Sequence, residues 1–250
     1  MKKIIIMGAS SGIGLELAEM LASRGVKVGM AARHTETKRE LKGKYPDNVE
    51  YASIDITRKD APAKLTELAE KIGGMDIYLH VSGIGCENLT LDPEREVEIV
   101  KTNAEGFARM VAAAYGYFRE KGGGQIAAVT SVAGTNGIGR LSAYSASKAF
   151  DRYYLVALEQ LARAEKADII FTDIRPGWTR TPLLEPGDVY PLEMDVDYVA
   201  RRILKAIVRK ERVAVIDWRW NLLVKGWRLL PDCIWTRIDI PISKPDRPLP

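Results

Sequence analysis

Tyr144 stands thirteen positions after Ser131 and four ahead of Lys148, in the run Tyr144-Ser145-Ala146-Ser147-Lys148 that opens a long stretch of apolar periodicity. If that stretch is helical, the phenol and the ammonium share one face. A phenol ionises near pH ~10 and carries protons poorly at neutral pH unless something stabilises its anion. A close, partly buried cation can do this, since a shift of about three units needs about 4 kcal/mol. A serine hydroxyl arriving from an earlier strand could then hold the oxygen that receives the proton. The spacing alone is not decisive, because Tyr117 and Lys121 repeat it. That second copy has Ala104 thirteen positions upstream and the helix stop Lys121-Gly122-Gly123-Gly124 behind it, so it reads as an exposed helix end.

The elements that must position these groups alternate. Short β-rich runs recur at Lys3–Met7, Lys27–Ala31, Val49–Ile54, Asp76–Val81, Gln125–Thr130, Asp168–Ile174 and Arg212–Ile216. Helical stretches fall between them at Gly12–Arg24, Ala61–Ile72, Asn103–Glu120, Ala143–Arg163 and Val196–Arg209. Apolar strands separated by helices predict an α/β chain with one doubly wound, Rossmann-type domain: a parallel sheet of about seven strands with helices on both faces. Ligands of such a sheet sit at the carboxyl ends of the strands, where the strand order reverses.

Composition narrows the partners. The 250 residues are 46% hydrophobic and 28% charged, which suits one domain with a large core, and the net charge of +4 is dispersed up to about position 200. With no early block of cations beside aromatics, nucleic acid is not expected as a partner. Cys86 and Cys233 form no CxxC pattern, so neither a disulfide framework nor a metal site is indicated, and a reducing cytoplasm is the expected compartment. The start Met1-Lys2-Lys3-Ile4-Ile5-Ile6 imitates a secretion signal, but Gly8 to Gly14, Glu16 and Glu19 break its apolar run.

Gly8-Ala9-Ser10-Ser11-Gly12-Ile13-Gly14 follows the first strand and opens the first helix, the setting in which a pyrophosphate meets backbone N–H groups at a helix N-terminus. In chain order this turn, Ser131, Tyr144 and Lys148 together resemble the short-chain dehydrogenase/reductase family, over about Lys2 to Thr181 and more weakly to Ile216. The resemblance implies hydride transfer between a nicotinamide cofactor and a carbonyl or alcohol. Tyr144 would be general acid in reduction and general base in oxidation. Lys148 would bind the nicotinamide ribose and favour the phenolate, and Ser131 would position the substrate oxygen. Asn103 matches the asparagine that holds a water in the family's proton relay, although by itself an Asn beside Thr102 reads as a helix cap. Asp55, followed by Ile56, resembles the adenine-contacting aspartate and also reads as a loop cap. Ser82 and Gly83 fall where the family lines the cofactor. Pro176 and Gly177 match its Pro-Gly turn, with the Thr179 backbone fixing the ring face and Thr181 bonding the carboxamide.

Cofactor choice follows from charge. NAD-binding sheets commonly end the second strand with a carboxylate for the ribose 2′-hydroxyl, whereas this chain has Ala32-Arg33-His34. Arg33, joined by the hydroxyls of Ser10 and Ser11, favours the 2′-phosphate and so NADP(H) over NAD(H). Two departures stand out. Met7 replaces the usual Thr before the glycine turn, and His80-Val81-Ser82-Gly83 replaces Asn-Asn-Ala-Gly, removing an asparagine that ties strands together.

Residues 183–195 are expected to form a lid, with Leu183, Leu184, Val189, Tyr190 and Leu192 lining an apolar pocket that Gly137, Ile138 and Leu141 border; loop packing is the alternative. A hydrophobic ketone, aldehyde or secondary alcohol fits such walls. Residues 1–217 make the dinucleotide-binding and catalytic domain, with 218–250 appended to it. In that tail Trp220, Leu223, Val224, Trp227 and Leu230 recur at helical spacing beside Arg219, Lys225 and Arg228. A helix packed on the core or across a subunit boundary is preferred over peripheral membrane contact through 218–230. Pro241 to Pro250 should be extended. The helices Asn103–Glu120 and Ala143–Arg163 match the family's dimer surface, so a homodimer or homotetramer is expected. The competing function is a non-catalytic protein that senses NADP, which would have no use for Ser131, Tyr144, Lys148 and Asn103 together.

Overall fold

Within the first strand Ile4 and Ile6 face one hydrophobic layer while Ile5 and Met7 face another, the alternation that a sheet covered on both sides requires. The computed structural model describes residues 2–34, 36–85, 87–184, 190–238 and 240. Seven strands, β1 (Lys3–Met7), β2 (Lys27–Ala32), β3 (Val49–Ser53), β4 (Ile77–His80), β5 (Gly124–Val129), β6 (Ile169–Pro176) and β7 (Val213–Ile216), pair throughout in parallel, in the order β3-β2-β1-β4-β5-β6-β7. The chain leaves β1 toward β2 and β3 and returns to β4 on the other side. The crevice therefore opens at the carboxyl ends of β1 and β4.

Nine α-helices cover the sheet among the described residues: α1 (Gly12–Ala22), α2 (Glu36–Lys44), α3 (Ala61–Lys71), α4 (Pro93–Val100), α5 (Phe107–Lys121), α6 (Ser142–Glu165), α7 (Val196–Val208), α8 (Trp218–Trp227) and α9 (Asp232–Trp235). One layer packs Leu17 of α1, Ile203 of α7 and Trp220 of α8 on Ile6, Leu79 and Ile174. The other packs Leu68 of α3, Phe107 of α5 and Leu155 of α6 on Ile5, Tyr78 and Phe171. None of these helices is long and apolar enough to cross a membrane.

Three helices exceed the sequence expectation, α2, α4 and the single-turn α9. In α2 the periodicity is hidden because its first inward residue is Lys38, fully buried with its ammonium donating to Ala32 O and Ala52 O at 2.5 and 2.8 Å. At α4 the start is signalled by Asp92, whose carboxylate accepts from Glu94 N at 3.2 Å, followed by Pro93. A π-helical turn, Lys101–Gly106, then joins α4 to α5. The expected helix start at Asn103 is thus corrected: Asn103 is no N-cap but lies inside a helical run beginning ten residues earlier. The duplicate pair behaves as expected. Tyr117 accepts a bond from Met75 N at 3.1 Å, and α5 stops after Lys121 at Gly122, whose φ is 85°.

Candidate active site

The glycine turn is built by close approach. Gly8 has φ 98°, its N–H donates to Ala31 O at 2.7 Å, and a Cβ there would lie 2.5 Å from Ser82 N. A Cβ on Gly14 would lie 2.0 Å from Gly8 O. Only glycine lets α1 start so tightly against β1. Ser11 precedes α1 in extended conformation and makes no side-chain cap bond, so the first amides of the helix face the crevice uncapped. That cradle fits a pyrophosphate.

Tyr144, Lys148 and Ser131 reach the same crevice from α6 and the end of β5. Ser131 is buried and its Oγ accepts from Ala133 N at 3.1 Å, which leaves the hydroxyl proton to be donated. The ring of Tyr144 lies against Gly85, where a Cβ would come 2.6 Å from Cδ2. Lys148 is buried; its Nζ donates to Asp151 Oδ2 at 3.0 Å and to Val129 O at 3.4 Å. Burial would lower its pKa, but Asp151, Tyr144 and Asp173 outweigh that and leave it above the ordinary lysine value.

Asn103 occupies the π-turn, a local widening that often marks functional positions. Its Oδ1 accepts from Ile84 N at 2.9 Å and its Nδ2 donates to Ile84 O at 2.8 Å and to Ser147 Oγ at 3.2 Å. The asparagine therefore clamps the Gly83–Gly85 segment. His80 does not bridge to a neighbouring strand. It pairs with the Tyr78 hydroxyl of its own strand at 2.8 Å, and burial, then the charge of Lys148, lower its pKa to about 3.

A cavity of about 580 Å³ joins these groups, within the range of small-molecule sites. Every expected site residue borders it except Gly14, which supports the turn from behind, and Asn103, which acts through Ile84. At one end stand exposed Arg33 and half-buried Asp55. Burial would raise the Asp55 pKa, yet bonds from Thr57 N at 3.0 Å and Thr57 Oγ1 at 2.7 Å, with the charges of Arg33 and Arg58, hold it below the usual value. Asp55 thus serves as the loop cap while bordering the cavity.

At the other end Ile138, Leu141 and Tyr190 form an apolar cluster against Tyr144 and Trp178. Leu183, Leu184 and Leu192 also border the cavity, Gly137 does not, and Val189 lies outside the described residues, as does the expected extended run from Pro241. Sequence reasoning gave no role to Trp178, whose ring is tilted against Tyr190 with centroids 4.8 Å apart, or to Glu87. It also missed that the tail builds the pocket: Trp220, Leu223 and Trp227 of α8 line it, and Trp227 Nε1 donates to Thr135 Oγ1 at 2.7 Å. The helical spacing of those tryptophans was visible, but not the surface they cover.

The chain resembles known proteins over most of its length. Residues 2–188 match the short chain dehydrogenase family model. An uncharacterized oxidoreductase of Mycobacterium tuberculosis is 31% identical over 243 residues, covering 92% of this chain and 94% of its own, and one of Myxococcus xanthus is 29% identical over 235 residues, covering 91% and 92%. Among solved structures, a short-chain dehydrogenase from Sphingobium yanoikuyae in complex with NADPH superposes with a TM-score of 0.76 at 24% identity, covering 95% of this chain and 96% of that one. A bulky-bulky ketone specific alcohol dehydrogenase from Comamonas testosteroni gives 0.74 at 24% identity, covering 95% of each. With its sheet order, its glycine turn and these relatives in agreement, the chain belongs to the short-chain dehydrogenase family of oxidoreductases.

Proposed function

We propose that the protein is an NADP(H)-dependent oxidoreductase that moves a hydride between nicotinamide and the carbonyl or secondary alcohol of an apolar substrate. The observation carrying this reading is that Ser131, Tyr144 and Lys148 share one cavity with the glycine turn, so proton donor and dinucleotide cradle meet in one space. Bound there, the dinucleotide would supply or accept the hydride. The chain's own residues do the rest. Ser131 donates its hydroxyl to the substrate oxygen, Tyr144 gives that oxygen a proton in reduction and takes it in oxidation, and the Lys148 ammonium stabilises the phenolate. Ser10, Ser11, Gly12 and Ile13 would hold the phosphates in a turn shaped by Gly8 and Gly14, and Ser82, Gly83 and the Pro176–Thr181 run would hold the nicotinamide side.

Arg33 supports NADP(H), because the residue that follows β2 is a guanidinium, which suits a 2′-phosphate, and not the carboxylate that would hold a ribose 2′-hydroxyl. The substrate reading rests on Ile138, Leu141, Trp178 and Tyr190, which present apolar walls beside Tyr144. Residues 1–217 would then form the catalytic domain, with the lid expected at 183–195, of which 185–189 lie outside the described residues, and 218–250 an appendage whose Trp220, Leu223 and Trp227 complete the pocket. Exposed Phe150, Tyr153 and Leu161 on α6 favour a homodimer or homotetramer through that helix. A panel of ketones, aldehydes and secondary alcohols, followed by NADPH absorbance, tests the function: turnover of an apolar carbonyl is expected, and binding of NADPH with no turnover of any member would favour a sensor.

A further inference from the structure

Lys148 and Asp151 lie three residues apart on α6 and are both buried, the ammonium 3.0 Å from Oδ2. The inward face of this helix continues as Leu155, Leu158 and Ala162, so an apolar residue at position 151 would complete a hydrophobic stripe. A carboxylate there is costly unless it is paired. The second acid nearby is already committed: Asp173 accepts from Thr130 Oγ1 at 2.6 Å and from Arg175 Nε and Nη2 at 2.8 and 2.5 Å. Asp151 answers to Lys148, and its Oδ1 has no hydrogen-bond partner among the described residues.

We propose that Asp151 is a positioning residue of this site, the fixed counter-charge that holds the Lys148 ammonium in place beside Tyr144. An ammonium has three donors. Asp151 takes one and Val129 O another, both inside the protein, which leaves one for the cavity that Lys148 borders. The other charged and titratable groups acting on the pair are Tyr144 on α6, Asp173 on β6, itself held by Arg175, and His80 on β4. His80 stays neutral through the working range. Burial favours loss of the lysine proton, and Asp151 is the foremost charge opposing that loss.

The proposal rests on Tyr144 and Lys148 acting as the proton-handling pair. Asp151→Asn keeps the shape and deletes the charge. In carbonyl reduction its kcat/KM should fall about tenfold or more near pH 8.5 and recover toward pH 6.5 as the ammonium re-forms, moving the alkaline limb down by about one unit. Asp151→Glu should restore the limb of the unaltered protein. An Asn variant whose profile runs parallel to that of the unaltered protein at every pH would overturn the proposal. A second measurement needs neither the Asp151 variant nor turnover: in protein labelled with 15N-lysine, the Lys148 ammonium resonance, assigned by its absence in Lys148→Arg, should persist to about pH 9. Its loss below about pH 8 would overturn the proposal, whereas failure of the carbonyl panel would count against the oxidoreductase reading alone.

Discussion

The indole of Trp220 lies so close over Gly177 that a Cβ there would fall 2.1 Å from the ring, and its Nε1 donates to Leu192 O at 3.2 Å. One side chain from α8 therefore pins both the Pro176-Gly177 turn and the far end of the 183–195 segment. Gly177→Ala should force the ring outward at a cost of about 1–3 kcal/mol, seen in denaturant unfolding. NADPH affinity, by fluorescence titration, should fall about tenfold as the turn shifts. An alanine variant matching the unaltered protein in both would show that the contact is loose.

Arg33 carries the expected cofactor preference. Charge-assisted bonds to a phosphate are worth about 1.5–3 kcal/mol, so Arg33→Ala should weaken NADPH about tenfold to a hundredfold while NADH binding stays within a few fold. Equal losses for both nucleotides would place recognition of the 2′-phosphate elsewhere.

His80 links the site to acid stability. Its folded pKa, about 3, lies below the ordinary histidine value of 6.5, so the unfolded chain binds a proton that the folded chain refuses. Its stabilising contribution is complete above about pH 6.5 and is lost as pH falls toward 3. Asp151, whose pKa burial raises above the ordinary carboxylate value, works in the opposite sense at acid pH and cancels when variants are compared. His80→Asn should therefore lose less stability than the unaltered protein between pH 6.5 and 4. Parallel melting-temperature curves across that interval would refute the assignment.

The strand alternation, the glycine turn and the chain order of Ser131, Tyr144 and Lys148 were legible because each depends on local spacing. Three features were not. Lys38 broke the periodicity of α2 because its ammonium is satisfied by strand carbonyls rather than by water. Asn103 looked like a cap because a π-turn leaves no mark in composition. The tail's contribution to the pocket depends on Trp227 meeting Thr135, 92 positions away, and helical spacing says nothing about what a face will meet.

Asn103 joins that hidden structure to the chemistry. Asn103→Ala would strand the half-buried N–H and C=O of Ile84, costing about 1–2 kcal/mol and freeing the Gly83–Gly85 segment against which Tyr144 packs. Turnover should fall more than NADPH affinity. A variant with reduced stability and full kcat would confine Asn103 to a structural role.

Tyr144→Phe tests the proton donor itself. The substitution removes one oxygen from a ring that packs on Gly85, so folding and NADPH affinity should stay within a few fold of the unaltered protein. A positioned acid contributes about 10²–10⁴ in rate, and carbonyl reduction should fall by that factor at every pH tested. Reduction at the unaltered rate by the phenylalanine variant would contradict the assignment of Tyr144 as the acid.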